Sequence, residues 1–128
     1  MLFSGLTVME DLKIRLFAKN SNYPDIDKDI INALEKFKTD HLLNRKTAFI
    51  SGGERQRVEL AGIMLSNPDV VLLDEPTSKL DKENKVNILS AITETFEGKT
   101  LIAVTHEPEV FPDKFIRLRL KGGKLEYE

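Results

Sequence analysis

The sequence predicts an α/β fold laid out unevenly: a helical first half, then part of an α/β core with a small, mainly parallel sheet and a closing hairpin. Three observations point there. Apolar residues recur at helical spacing through the first half, and none of it alternates as a strand would. The run Val70-Val71-Leu72-Leu73 leads through a helical stretch to a second apolar run, Thr100-Leu101-Ile102-Ala103-Val104, the order of a β-α-β unit. Near the C-terminus Gly122-Gly123 separates two short strand-like segments. At 128 residues the chain is one domain's worth or less, and its 41% hydrophobic content is enough for a packed core.

In chain order, Thr7 and Glu10 have the spacing of a capping box and open a helix with Val8, Leu12 and Leu16 on one face. The segment 20–25, with Ser21, Asn22 and Pro24, reads as a loop. A second helix carries Ile30, Ile31, Leu34 and Phe37 at the spacing of a packed face, and His41-Leu42-Leu43 reads as a helical turn. Ser51 and Glu54 form a second capping box, whose helix runs to about Ser66 before Asn67-Pro68 stops it. The unbroken run from Val70 reads as a strand buried on both faces, and residues 100–104 as a second buried strand. Between them Asp81 caps a helix with Val86, Leu89, Ile92 and Phe96 along one side, ended by Phe96-Glu97-Gly98-Lys99. In 115–120, Phe115, Arg117 and Arg119 alternate with Ile116, Leu118 and Leu120, the pattern of a half-exposed strand that Gly122-Gly123 turns into a closing one. The expected division is 1–66, helical, and 67–128, partial α/β core.

Composition narrows the function classes. A net charge of −2 with acids and bases interspersed offers no electrostatic footprint for nucleic acid. The absence of cysteine rules out disulfides and thiolate metal sites. No apolar run approaches the roughly 18 residues of a membrane span. Glu10 and Asp11 interrupt the stretch where a signal peptide needs an apolar core. The expectation is a soluble, cytoplasmic chain.

Two stretches carry chemistry. Ser51-Gly52-Gly53-Glu54 leaves backbone N–H groups uncovered at the positive end of a helix, where an anion is favoured. Asp74-Glu75-Pro76 puts two acids at the C-terminal end of a buried strand, where open α/β sheets place their ligands. One such acid can hold Mg²⁺ through oxygen while its neighbour acts as a general base. Taken singly, the first stretch reads as an ordinary capped helix start, the second as a solvated strand end, and His106 as a surface histidine. Their succession favours a site. His41, Lys36, Lys38, Arg45 and Lys46 read as solvated, and Arg55 and Arg57 as solvent or partner contacts.

Together these residues resemble the ABC family of ATPases. Ile50-Ser51-Gly52-Gly53-Glu54 is similar to the family's LSGGQ-type signature motif, and Val70 to Pro76 to its Walker B strand with the catalytic glutamate. Ser78-Lys79-Leu80-Asp81 resembles the D-loop, and Val104-Thr105-His106-Glu107 the switch histidine. The resemblance implies an incomplete P-loop NTPase fold: the helical subdomain followed by the second half of the core. It implies that Asp74 holds Mg²⁺ through water, that Glu75 polarises the attacking water and that His106 contacts the γ-phosphate of ATP. Ser51, Gly52, Gly53 and Glu54 would form the face that binds the γ-phosphate of ATP held by a second subunit, and Ser78 and Asp81 would meet that subunit. Implied partners are a second ABC ATPase subunit or a second copy of this chain, and a transmembrane permease; no nucleic acid is expected. The assembled protein would lie in the cytoplasm, against the inner face of the membrane. Glu54 stands where glutamine is commoner, Lys79 where the D-loop usually has a small residue, and Gly62 where arginine or lysine is frequent.

The sequence contains no G-x-x-x-x-G-K-S/T phosphate-binding loop. Gly98-Lys99-Thr100 imitates its end, but it follows a helix and enters a strand, the reverse of the required order. Leu2-Phe3-Ser4-Gly5-Leu6-Thr7-Val8 looks like the segment just after the family's glutamine loop, with Ser4 where proline is common. Met1 would then be an internal start, a truncation or the beginning of a split gene. Without the strand that precedes the P-loop, residues 100–104 should have an open edge and the 115–120 strand should detach. Such edges recruit other chains, so dimerisation, strand exchange or a partner is expected. The expected function is that of an ABC transporter ATPase subunit, inactive as this chain alone. The rivals are a non-catalytic module, offering its signature motif in trans or occupying a transporter's docking surface, and one half of a split ATPase; a soluble ABC protein acting on DNA or ribosomes is disfavoured by charge. Asn67-Pro68-Asp69 resembles transporters more than the family's DNA-repair relatives.

Overall fold

The computed structural model describes residues 5–19 and 25–128; residues 20–24 of the loop assigned to 20–25 and the Leu2 to Ser4 part of the family-like segment lie outside them. Helix α1 (Val8–Lys19) opens on the expected capping box. The Thr7 N–H donates to Glu10 Oε1 and the Glu10 N–H to Thr7 Oγ1, both at 3.2 Å. The bond from the Thr7 N–H, with the Thr7 hydroxyl assisting, holds the Glu10 carboxyl below its ordinary pKa. Val8, Leu12 and Leu16 are buried on one face.

Helix α2 (Ile26–Lys36) buries Ile30, Ala33 and Leu34, and Phe37 follows at its C-cap, also buried. Thr39 closes this end by donating its hydroxyl to the Leu34 carbonyl at 3.1 Å. A 3₁₀ turn, Asp40–Leu42, matches the expected helical turn, and a second, Thr47–Phe49, leads to helix α3 (Gly52–Ser66). Helix α3 packs against α1 and α2. Arg15 ties α1 to α3, with Nε 3.0 Å from the buried Asp11 carboxylate and Nη1 3.4 Å from Glu59.

Strand β1 (Val70–Asp74), helix α4 (Lys82–Thr95) and strand β2 (Thr100–Val104) form the expected β-α-β unit, with β1 and β2 parallel and Leu72 opposite Ile102. The strands are not buried on both faces. Val71 and Leu73 join the core, but Val70 and Leu72 are 55% and 70% exposed, and Ile102 and Val104 are 52% and 60% exposed. The helices cover one side, and nothing among the described residues covers the other. On α4 the packed face is Ile88, Leu89, Ile92 and Phe96; Val86, assigned to it from the sequence, points to solvent.

The C-terminal hairpin is β3 (Leu118–Lys121) with β4 (Lys124–Tyr127). Gly122 and Gly123 both take positive φ, 55° and 78°, as the two-residue turn between paired Lys121 and Lys124 requires. The strand starts later than 115, because Phe115 turns edge-on against Phe111, ring centroids 5.5 Å apart, and its N–H bonds the Pro112 carbonyl. The alternation holds only before the strand: Phe115 and Arg117 are half-buried and Ile116 is exposed, but Leu118, Arg119 and Leu120 are all exposed. Among the described residues the hairpin pairs with neither β1 nor β2, so β2 keeps one open edge as the sequence reading anticipates.

Candidate functional site

The N-terminus of α3 is built by the second capping box. The Ser51 N–H donates to Glu54 Oε1 at 2.9 Å and the Glu54 N–H to Ser51 Oγ at 3.1 Å. The bond from the Ser51 N–H is the main reason the Glu54 carboxyl sits below its ordinary pKa; partial burial opposes it, and the Ser51 hydroxyl, Arg45 and His41 assist. Gly52 and Gly53 permit a close approach here. A Cβ on Gly52 would stand 2.9 Å from Lys79 Cδ, and one on Gly53 would stand 3.0 Å from both the Lys79 carbonyl oxygen and Leu80 Cδ2. The 75–80 turn therefore lies directly against this helix end, with the Lys79 stem across Gly52.

That turn begins where β1 ends. The Glu75 N–H donates to the Val104 carbonyl at 2.8 Å, carrying the β1–β2 pairing one residue further. Glu75 then adopts φ +48°, a left-handed conformation that costs a non-glycine residue about 1–2 kcal/mol. The Ser78 N–H returns to the Glu75 carbonyl at 3.2 Å, and Pro76 and Thr77 are buried beneath the turn. Glu75 Oε1 lies 3.3 Å from His106 Nε2, yet it is buried without a hydrogen bond, so the two groups are close but misaligned. The His106 side chain is 94% exposed. Asp74 is exposed at the strand end, and no hydrogen bond or ion pair from a described group engages it.

The structure thus brings Ser51, Gly52, Gly53 and Glu54 to one side of the turn carrying Glu75 and Ser78, and His106 to the other. Asp81 is exposed, and its carboxylate is engaged in capping α4, accepting from the Asn84 N–H at 2.9 Å and the Asn84 side-chain amide at 3.1 Å. Beside His106, Glu107 receives Lys85 Nζ of α4 at 2.5 Å, and its N–H bonds Thr105 Oγ1 at 2.9 Å.

Three side chains depart from the sequence reading. Arg55, assigned to solvent or a partner, donates from Nη2 to the Thr47 carbonyl at 2.7 Å. Arg57 reaches the Gly53 and Lys38 carbonyls, both at 3.4 Å. His41 is exposed as expected, but its Nε2 stands 3.6 Å from Glu54 Oε2. Gln56 escaped the sequence reading altogether. Its amide donates to the Glu75 carbonyl at 2.9 Å and to Ser78 Oγ at 3.2 Å, and its oxygen faces the Lys79 N–H at 3.4 Å. Helical spacing is the signal that finds it: residue 56 stands four and three positions after Gly52 and Gly53, on their face of α3. The two cavities described, about 230 Å³ beside Gly62 and about 220 Å³ beside Phe96 and Phe115, lie away from these residues.

Residues 1–78 match the family model for ABC transporters. The energy-coupling factor transporter ATP-binding protein EcfA1 of Lacticaseibacillus paracasei is 31% identical over 125 residues, covering 96% of this chain and 45% of that protein. The maltose/maltodextrin import ATP-binding protein MalK of Vibrio parahaemolyticus is 37% identical over 108 residues, covering 83% of this chain and 29% of the relative. Among solved structures, the dimeric bacterial ABC transporter cassette MJ0796 superposes with a TM-score of 0.75 at 29% identity, covering 85% of this chain and 50% of the cassette. The chain therefore spans about half or less of the length of the proteins it matches. Among the described residues no helix is long and apolar enough to cross a membrane. This chain belongs to the ABC transporter family of ATP-binding proteins.

Proposed function

We propose that this chain is the C-terminal part of an ABC transporter ATPase subunit, and that it hydrolyses ATP only when joined by a P-loop-bearing half, on the same polypeptide or another. The observation that carries the reading is Glu75 held 3.3 Å from His106 at the end of a parallel strand pair. The family membership and the signature-like helix end packed on the same turn support it.

The residues fit Mg²⁺ with ATP. Among the described residues no group of three or more His, Cys, Asp or Glu is arranged to hold a metal. Mg²⁺ does not require one, since it is commonly held by one or two carboxylates with waters and phosphate oxygens. Asp74, exposed and unengaged by described groups, would hold it through water. Bound Mg²⁺–ATP supplies a γ-phosphoryl group whose developing charge is neutralised. Glu75 would orient the attacking water and take its proton at the carboxylate, whose Oε1 makes no hydrogen bond to a described group. His106, largely in solvent, would reach the γ-phosphate. The Ser51 hydroxyl and the Gly52 and Gly53 N–H groups would bind the γ-phosphate of ATP held by a second subunit, with Glu54 fixing that helix end. Ser78 and Asp81 would line the contact with that subunit. The assembled partners would be a second ABC ATPase subunit or copy and a transmembrane permease, with the chain on the cytoplasmic face of the membrane and no nucleic acid involved.

Calorimetric titration of the chain with Mg²⁺–ATP tests the first half of this reading; no heat at millimolar nucleotide is expected, and micromolar binding would overturn it. Mixing with the P-loop half of an ABC cassette tests the second. Turnover that appears on mixing and vanishes in Glu75→Gln supports a catalytic half; turnover unchanged by Glu75→Gln identifies a non-catalytic module acting in trans.

A further inference from the structure

We propose that Gln56 is a positioning residue for the proposed hydrolysis: it fixes the direction of the Glu75 side chain and makes the Ser78 hydroxyl an outward donor. The proposal rests on the reading of Glu75 and Ser78 given above. One carboxamide spans the whole turn, donating to the Glu75 carbonyl (2.9 Å) and Ser78 Oγ (3.2 Å) and facing the Lys79 N–H (3.4 Å). Glu75 is thereby held on both sides of its Cα, its N–H by the Val104 carbonyl at 2.8 Å and its own carbonyl by Gln56, which adds the shorter bond to that from the Ser78 N–H at 3.2 Å. Two anchors flanking one Cα fix both backbone dihedrals, and with them the direction in which Cβ leaves.

Glu75 needs such anchors because its left-handed φ of +48° is not one its side chain favours. Its carboxylate offers no anchor of its own, since Oε1 has no hydrogen bond and faces His106 without alignment. The second effect follows from the chemistry of a hydroxyl. Ser78 Oγ has one proton to give and accepts from Gln56, so that proton remains available to an acceptor outside the turn, such as a phosphate oxygen or a carbonyl of an opposing chain. No other side chain reproduces the set: glutamate lacks the donors, leucine lacks donor and acceptor, and asparagine is one methylene short.

The test compares the intact 128-residue chain with Gln56→Leu and Gln56→Glu by NMR, without nucleotide. In Gln56→Leu the Ser78 and Lys79 amides should exchange at least about fivefold faster while α3 and α4 amides stay within about twofold. The Glu75 backbone carbon shifts should leave their left-handed values, and the nuclear Overhauser contact between Glu75 and His106 should disappear. Gln56→Glu keeps the acceptor for Lys79 but loses both donors, so it should preserve Lys79 protection and still release Glu75. A folded variant of either kind with unchanged Glu75 shifts and contact overturns the proposal; should Gln56→Leu not fold, Gln56→Glu decides alone. Where mixing with a P-loop half yields turnover, kcat should fall about a hundredfold with KM for ATP within about twofold. Wild-type kcat in a variant that has released Glu75 also overturns it. Failure to obtain turnover from the wild-type chain would count against the proposed function and leave the NMR outcome to judge Gln56.

Discussion

Glu75 and His106 meet across the ends of β1 and β2, Oε1 and Nε2 3.3 Å apart without hydrogen-bond alignment. Glu75 is half-buried against the turn and His106 stands almost wholly in solvent, an asymmetry that lets the proposed catalytic role be tested apart from stability. His106→Ala should change the unfolding free energy of the chain by less than about 0.5 kcal/mol, since it deletes an exposed side chain. In a mixture that turns over ATP, the same substitution should lower kcat by about a hundredfold or more. Urea unfolding and steady-state kinetics on one preparation check both halves. A large loss of stability, or no loss of rate, would contradict the assignment.

The helix ends make the chain acid-sensitive in a predictable direction. Hydrogen bonds from Ser51 hold the Glu54 carboxyl below its ordinary value of 4.5. A depressed folded pKa means the ionised group stabilises the fold above the unfolded value, and that contribution is lost as pH falls through the folded pKa, hence below 4.5. Glu54→Gln preserves the box geometry and does not titrate. The stability advantage of wild type over Glu54→Gln should therefore be constant from pH 7 to about 5 and shrink below pH 4.5, read from denaturant midpoints.

Features set by near neighbours were legible in the sequence. Ser51 with Glu54, Thr7 with Glu10, Asp81 before α4 and Gly122-Gly123 each specify a cap or turn within four residues, and the structure has them all. Features set by distant groups were not. The run Val70-Val71-Leu72-Leu73 reads as doubly buried because nothing in it says what covers its second face, and here only Val71 and Leu73 are covered. The left-handed backbone of Glu75 is bonded by Val104 and Gln56, residues well separated from it in sequence. Arg55 looked like a surface charge because its acceptor, the Thr47 carbonyl, is a backbone group that no side-chain pattern announces.

Gly62 weakens α3 but serves its contact with α1. A Cβ there would lie 3.3 Å from Leu12 Cδ2 and 3.8 Å from Arg15 Nη1. Both neighbours are the far ends of flexible side chains, and a cavity of about 230 Å³ adjoins them, so they have room to give. The helix-propensity gain of about 1 kcal/mol should therefore prevail, and Gly62→Ala should stabilise the chain by about 0.5 kcal/mol. A loss of stability in urea would mean that the contact is stiffer than its surroundings imply.

The uncovered face of the parallel pair should govern association. Val70 and Leu72 on β1 and Ile102 and Val104 on β2 point to the same side, each more than half exposed, with Leu72 directly opposite Ile102. Burying a fully exposed side chain of this kind is worth about 1.5–3 kcal/mol, and with just over half of that still to be gained at each, covering all four offers about 4–7 kcal/mol, the order a weak dimer needs. Wild-type chain should associate with rising concentration in sedimentation experiments. The pair Leu72→Lys and Ile102→Lys should raise the dissociation constant by at least about a hundredfold. Folding stability should move little, because these side chains already stand in water. A wild-type chain that remains monomeric at millimolar concentration would show that the exposed face does not drive self-association, and would leave the P-loop-bearing half as the surface that covers it.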